Sequence, residues 1–361
     1  MTKRPLFSLF FSLLSFSASA EVWVEANRPP FHEPRQPQQI HYQPLTQASR
    51  PWKLCAVYPH LKDSYWLSVN YGMVRHARQL GVQLKVLEAG GYPNLTHQQV
   101  QLQQCRQWQA DAIILGAVDR HAYAGQLSQL VADIPVFATI NDLDMTDPDQ
   151  LRQVVGKVGV DWSKMGQAAG EFLAKRHPAG SGIVNIAWLP GPKWRGGTHP
   201  VNQGFRQAIE GSDVRIVATL WADNSKELQR NLIQQLFAER QDIDYIVGGA
   251  VAAEVAISEL RSMDKLKEIG IVSTYLSHGV YRGLLRGRVL FAPTDKMAQQ
   301  AMLSVDQAVR YLDKRPVERD LATIIEPLTP DHLPAQVISA SLSPAEFRPT
   351  FRISPTTHSH P

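Results

Sequence analysis

From Trp52 onward, short apolar runs alternate with longer segments in which apolar residues recur every three or four positions. The runs read as strands and the periodic segments as amphipathic helices. Residues 53–58 are a strand. Ser64 can cap the next helix, in which Trp66, Val69, Met73, Ala77 and Leu80 share a face until Gly81 stops it. A strand over 82–87 and a helix over 94–109 follow. Ala112, Ile113, Ile114 and Leu115 have no polar face, as a strand covered on both sides requires. Residues 121–131 read as helix and 134–139 as strand. This alternation predicts an α/β fold built on a doubly wound parallel sheet.

A second series of the same kind starts near Val158. Asp161 caps a helix through Met165, Ala169, Phe172 and Leu173, and a strand runs over 183–188. A Gly/Pro-rich loop over 189–200 leads into a helix through Phe205 and Ile209. Further strands fall at 214–220, 245–247, 269–274 and 289–291, a long helix at 296–312 and a last strand at 322–325. Two such arrays with little linker predict two doubly wound parallel-sheet lobes with a cleft between them, where ligands sit beyond the carboxyl ends of the strands.

The first twenty residues belong to neither array. Lys3 and Arg4 precede a short apolar run over 7–16, and Ser17-Ala18-Ser19-Ala20 ends in a small-x-small cleavage pattern. That is a secretory signal peptide over 1–20, too short in its apolar run to span a membrane. No later segment is apolar for long enough to do so, so direct membrane insertion is not expected and export is. Residues 21–52, rich in Pro, Gln and His, read as an extended N-terminal arm.

Composition narrows the function classes. The chain has 361 residues, 44% hydrophobic and 19% charged, with a formal net charge of +4. Loss of Lys3 and Arg4 with the signal peptide lowers that charge to +2. This excludes a disordered chain and leaves no electrostatic footprint for nucleic acid. Two cysteines exclude a disulfide framework and a four-cysteine zinc site. Cys55 lies in the first strand and Cys105 in the helix that crosses it. The oxidising surroundings of an exported protein permit a bridge between them, and two buried thiols are the alternative.

The ordered series Val57-Tyr58-Pro59-His60, Ser64-Tyr65-Trp66, Leu80-Gly81, Ala110-Asp111-Ala112-Ile113-Ile114-Leu115, Ile134-Pro135-Val136, Val158-Gly159-Val160-Asp161 and Gly204-Phe205-Arg206-Gln207-Ala208-Ile209 resembles the type I periplasmic binding proteins of the ribose-binding kind. The resemblance implies three hinge crossovers, near 158–160, 291–293 and 321–325. It implies a first lobe of 53–158 plus 294–321, a second of 160–290 plus 325–342, and a C-terminal tail over 343–361. Further residues carry a closer likeness to members that pass a signal to a membrane histidine kinase. They are Tyr58-Pro59-His60-Leu61-Lys62-Asp63-Ser64-Tyr65-Trp66, Gly159-Val160-Asp161-Trp162, Leu189-Pro190-Gly191-Pro192 and Ser273-Thr274-Tyr275. That likeness implies a kinase ectodomain as partner and trimethylamine N-oxide as ligand, with no cofactor.

The cleft-facing positions fit such a ligand. Sugar-binding relatives use an Asn and two stacking aromatics after the first strand; here the segment is Asp63-Ser64-Tyr65-Trp66. Their later Asp, Gln and Asn align with Tyr275, Ala292-Pro293 and Gly249-Ala250, and an Asp-Arg pair aligns with Asn141-Asp142. Hydroxyl-reading groups are partly lost and aromatics gained. A methylated ammonium has no N–H to donate and is held by aromatic faces, at roughly 0.5–2 kcal/mol per contact. Tyr65, Trp66, Trp162 and Tyr275 are the cage expected on this reading, with Asp63 as counter-charge. Trp66 also lies on the stripe of Val69 and Met73, so core packing is its alternative role. Asn141, Trp188 and Trp194 are further candidates, and Arg195 is a substitute for a sugar-binding arginine. Arg282, Arg286 and Arg288 read as a solvated helix face. No phosphate loop, nucleophile elbow or His-Glu-x-x-His motif is present, so neither a metal site nor catalysis is expected. The alternatives are a sugar or autoinducer carrier of an ABC transporter and, in a different class, an exported hydrolase.

Overall fold

The computed structural model describes residues 21–193 and 195–354. The signal peptide, Trp194 and the last residues of the tail lie outside them.

The first array comprises β1 (Val22–Asn27), β2 (Pro37–Tyr42), β3 (Lys53–Tyr58), α1 (Ser64–Leu80), β4 (Gln83–Glu88), α2 (Leu95–Gln107), β5 (Ala112–Leu115), α3 (Leu127–Val131), β6 (Val136–Thr139), α4 (Pro148–Gln153) and β7 (Val154–Gly159). The second comprises α5 (Trp162–Arg176), β8 (Val184–Gly191), α6 (Thr198–Ala208), β9 (Val214–Trp221), α7 (Lys226–Glu239), β10 (Tyr245–Gly248), α8 (Ala250–Ser262), β11 (Gly270–Ser273) and α9 (His278–Leu285). The chain then returns through β12 (Ala292–Thr294), α10 (Met297–Leu312), β13 (Asp320–Thr323), β14 (Glu326–Leu328), α11 (Ala335–Ser341) and β15 (Arg352–Ile353).

Strands β4-β3-β5-β6-β7 pair in parallel and β13 continues the sheet, which β15 closes at one edge and β1-β2 at the other. The second lobe is a four-stranded parallel sheet in the order β11-β10-β8-β9. In both sheets the second strand lies outside the first, so the switch point falls beside the first strand of each lobe. The chain passes between lobes after β7, at β12 and between β13 and β14, and β12 and β14 form a small antiparallel pair there.

Several local readings change. Asp63, not Ser64, is the N-cap of α1: its side chain accepts from the Trp66 N–H at 2.9 Å. The expected 121–131 helix shortens to α3, because Gly125 at φ 66° breaks the run. The arm is no loose lead-in. Its residues 22–27 and 37–42 form an antiparallel hairpin that extends the first sheet beside β13. Pro29 and Pro34 occupy the connection and Pro37 opens an edge strand, positions that cost no ladder hydrogen bond. The segment after β14 also leaves the second lobe. Helix α11 packs on α10, the Ser343 N–H donates to Ser68 Oγ at 3.1 Å, and β15 pairs with β4. The part of the tail over 343–353 is therefore docked on the first lobe.

Helix α10 is buried over nearly its whole length and carries polar side chains inward. Asp306 is the hub of one cluster: it accepts from His76 Nε2 at 2.7 Å, the Leu45 N–H at 2.7 Å and Arg310 Nε at 2.8 Å, and from the Tyr42 hydroxyl. This ties the N-terminal hairpin to α1 and α10. On the far face of the sheet Cys55 and Cys105 are joined in a disulfide with Cα atoms 5.7 Å apart.

Candidate functional site

A cavity of about 50 Å³ lies between the lobes. Cavities for drug-sized ligands run to roughly 300–1,000 Å³, so this one suits a compact molecule. Asp63, Tyr65 and Trp66 come from the start of α1 in the first lobe. Trp162, at the start of α5, and Tyr275, just beyond β11, come from the second. These expected residues therefore converge, and Asn141 joins them from the turn after β6. Trp188 does not. It is fully buried behind the second sheet, stacked on Phe205 at 4.2 Å with its Nε1 donating to Asn202 at 2.8 Å. The strand that carries it is covered on both faces, so an aromatic there is core.

The rings are set edge to face. Tyr65 meets Tyr275 at 5.4 Å and 83°, and lies 6.4 Å from Trp162. Trp66 fills both roles considered for it: its ring packs on Tyr58 at 5.5 Å while part of it lines the cavity. Glycines permit this density. A Cβ at Gly197 would lie 2.4 Å from the Trp162 ring, and one at Gly249 would lie 3.3 Å from the Tyr275 ring.

Most polar groups in the wall are already engaged. The Tyr65 hydroxyl donates to Asp295 Oδ2 at 2.5 Å. Trp162 Nε1 donates across the lobes to the Ile140 carbonyl at 3.2 Å. Ile140 holds φ at 63°, a left-handed conformation that costs a β-branched residue on the order of 1–3 kcal/mol and here aims its carbonyl at the indole. A second link between lobes is the ion pair of Arg195 with Asp119. Arg195 lines the cavity, but its guanidinium has this partner.

Other groups differ: among the described residues the side chains of Thr198, Asn224 and Thr274 in the lining make no hydrogen bond, and two tyrosine hydroxyls only accept. Tyr92 accepts from Asn141 Nδ2 at 3.4 Å and from the Trp66 side chain, and Tyr275 accepts from the Ala250 N–H at the start of α8. Among the described residues neither donates its own proton to another group. Burial pushes the Tyr92 phenol up to about 12, and burial with the Asp63 charge raises Tyr275 well above the ordinary range. Both are neutral donors in the cavity wall. Burial also raises the Asp63 carboxyl, against the pull of His60 at 3.9 Å and the Trp66 N–H.

Sequence reasoning missed Tyr92, Ile140, Thr274 and Asn224 in the lining, and Asp295 behind it. Tyr92 was the most accessible: it follows Gly90-Gly91 at the carboxyl end of β4, where cleft residues belong. Asp295 follows the β12 crossover, and only the fold brings it to Tyr65.

The family described as periplasmic binding proteins and sugar binding domain of the LacI family matches residues 51–328. The chain is 45% identical to the periplasmic protein TorT of Escherichia coli (strain K12) over 84% of this chain and 85% of that protein. Among solved structures, it is similar to a chain of the complex of the TorS sensor domain with TorT in the presence of TMAO, at 60% identity and a TM-score of 0.79. That match covers 83% of this chain and 99% of the other. An ABC transporter solute binding protein from Bradyrhizobium sp. BTAi1 with bound bis-tris is 32% identical, with a TM-score of 0.77, covering 94% of this chain and all of the other.

Proposed function

The chain belongs to the family of periplasmic binding proteins and LacI-type sugar binding domains, and from that premise we propose that it is a periplasmic sensor which holds trimethylamine N-oxide between its lobes and signals to the TorS histidine kinase. The observation that carries the ligand is the cavity itself. It is small and walled by aromatic rings from both lobes. A sugar needs many directional partners. The N-oxide needs aromatic faces for its methyl groups and a few donors for its oxygen.

Tyr65 and Trp66 of the first lobe and Trp162 and Tyr275 of the second supply the faces. The Tyr92 and Tyr275 hydroxyls supply the donors, and the Asp63 carboxylate lies against the ammonium side. Asn141 holds the Tyr92 hydroxyl in place. Because the cage is split, only the closed form completes it, and the ligand shifts the lobe equilibrium by its differential affinity. No turnover is assigned to the site: the relatives described above are binding proteins.

The partner rests on the likeness to TorT and to its complex with the TorS sensor domain. Titration calorimetry tests the ligand. Saturable heat with trimethylamine N-oxide and none with ribose or galactose is expected. Tight ribose binding with no response to the N-oxide returns the protein to the sugar carriers.

A further inference from the structure

Six cationic side chains line one groove on the second lobe: Lys226, Arg230, Arg261, Arg282, Arg286 and Arg288. The groove measures about 330 Å³ and lies among α7, α8 and α9. Lys226 lies 3.4 Å from Glu254 and Arg230 3.2 Å from Glu259. Among the described residues the side chains of Arg261, Arg282, Arg286 and Arg288 have neither an ion pair nor a hydrogen bond. The whole chain carries a formal charge of only +4, so the concentration is local. Unpaired like charges repel one another, and a groove with six cations against the single carboxylate of Glu254 focuses its field on an acidic partner.

The sequence pattern alone suggested a solvated helix face. The fold changes that reading, because cations from three helices converge on a concavity with Val255 and Ile257 in its lining and Leu285 exposed beside it. The groove also continues. Through Lys226, Glu254, Gly279 and Arg282 it opens into a crevice of about 730 Å³ whose walls come from both lobes, with Ser64 and Leu67 from the first and His278 from the second. At the junction Ser277 Oγ donates to Glu254 at 2.5 Å, and the His278 N–H donates to Ser64 Oγ at 3.2 Å across the lobes. Ser64 is the neighbour of Asp63 in the ligand cavity.

We propose that this groove and crevice dock an acidic segment of the kinase ectodomain, its carboxylates on the guanidiniums and its apolar side chains on the lining between them. The proposal rests on the reading of the protein as a signalling partner given above. Concavity favours a protein segment over an anionic bilayer, whose headgroup plane is flat and cannot reach into a groove. An occupant that touches both lobes binds one lobe angle better than another, so its affinity and the ligand's are linked reciprocally.

The test compares three proteins: wild type, Arg282→Glu/Arg286→Glu/Arg288→Glu, and Lys164→Glu/Lys175→Glu/Arg176→Glu on α5 as a control of equal charge change. The purified TorS periplasmic domain is titrated into each, and N-oxide binding is followed by tryptophan fluorescence as the check on folding. The groove variant is expected to bind the kinase domain at least tenfold more weakly, with N-oxide binding within twofold of wild type and the control near wild type. Wild-type affinity for the domain should fall as salt is raised. A groove variant within twofold of wild type, or a control equally weakened, overturns the proposal. So does loss of sedimentation with phosphatidylglycerol vesicles while kinase binding is kept, which would make the groove a lipid surface. Wild type that binds the N-oxide but not the kinase domain overturns the groove together with the partner reading. An unaffected groove variant beside a binding wild type overturns the groove alone.

Discussion

Two buried tyrosine–aspartate pairs sit at different levels of the same central helix. Tyr65 donates to Asp295, just ahead of α10, and Tyr42 donates to Asp306 within it. The chemistry of the pairs is the same and their surroundings differ. Asp306 is buried, yet donors from His76, Tyr42 and the Leu45 backbone hold its carboxyl below the ordinary carboxylate range. Asp295 is equally buried but has Tyr65 and Gln300 as its side-chain donors, and its Oδ1 has no partner. Burial pushes that carboxyl up to about 6. One carboxylate is a saturated structural hub. The other is left under-satisfied directly behind the ligand cavity, where it orients a cage tyrosine.

The hub is the place to break the comparison. Asp306→Ala leaves His76 and Arg310 without their common partner, and the cost expected for an orphaned buried charge is about 3–5 kcal/mol. Urea unfolding measures it; a loss under 1 kcal/mol would mean that the hub is not a hub.

The next effect is one of sign. A carboxyl raised in the fold contributes stability that is full below its unfolded value near pH 4 and is lost as pH rises through about 6. Two units amount to about 3 kcal/mol. The stability of wild type minus that of Asp295→Asn should therefore fall by most of that amount between about pH 3 and about pH 7. Asp306, lowered in the fold, contributes with the opposite slope: its share is present above the unfolded value and is lost as pH falls through the folded one. A flat difference curve for Asp295→Asn removes the contrast.

The smallest effect sharpens it. Tyr275→Ala should weaken N-oxide binding by more than about 1 kcal/mol, or roughly fivefold, with little change in the unfolding midpoint. Cavity residues then register in affinity and hub residues in stability. Unchanged affinity in a folded variant takes Tyr275 out of the cage.

The strand–helix rhythm was readable because β5 and its neighbours are covered on both faces and carry unbroken apolar runs. The hairpin β1-β2 was not, because its prolines hide the inward alternation of Val22, Val24 and Ala26. For the site, the strand-end rule finds residues that follow strands directly, and it found Tyr65, Trp162 and Tyr275. It misplaces Trp188, which ends the expected strand over 183–188 but lies inside β8, because that strand runs on to Gly191. Nor can it reach Asp295, which becomes a neighbour of Tyr65 only when the β12 crossover is folded.

The return of the C-terminal segment to the first lobe gives assembly an order. All four strands of the second sheet lie within one uninterrupted stretch, from β8 to β11. The first sheet needs β1 from one end of the chain and β15 from the other, with β13 between β7 and β1. During export, with the N-terminus leading, the second lobe has its whole sheet while the first still waits for its closing strands. The first lobe is therefore the later one to mature, and truncation from the C-terminus strikes it before it touches the other.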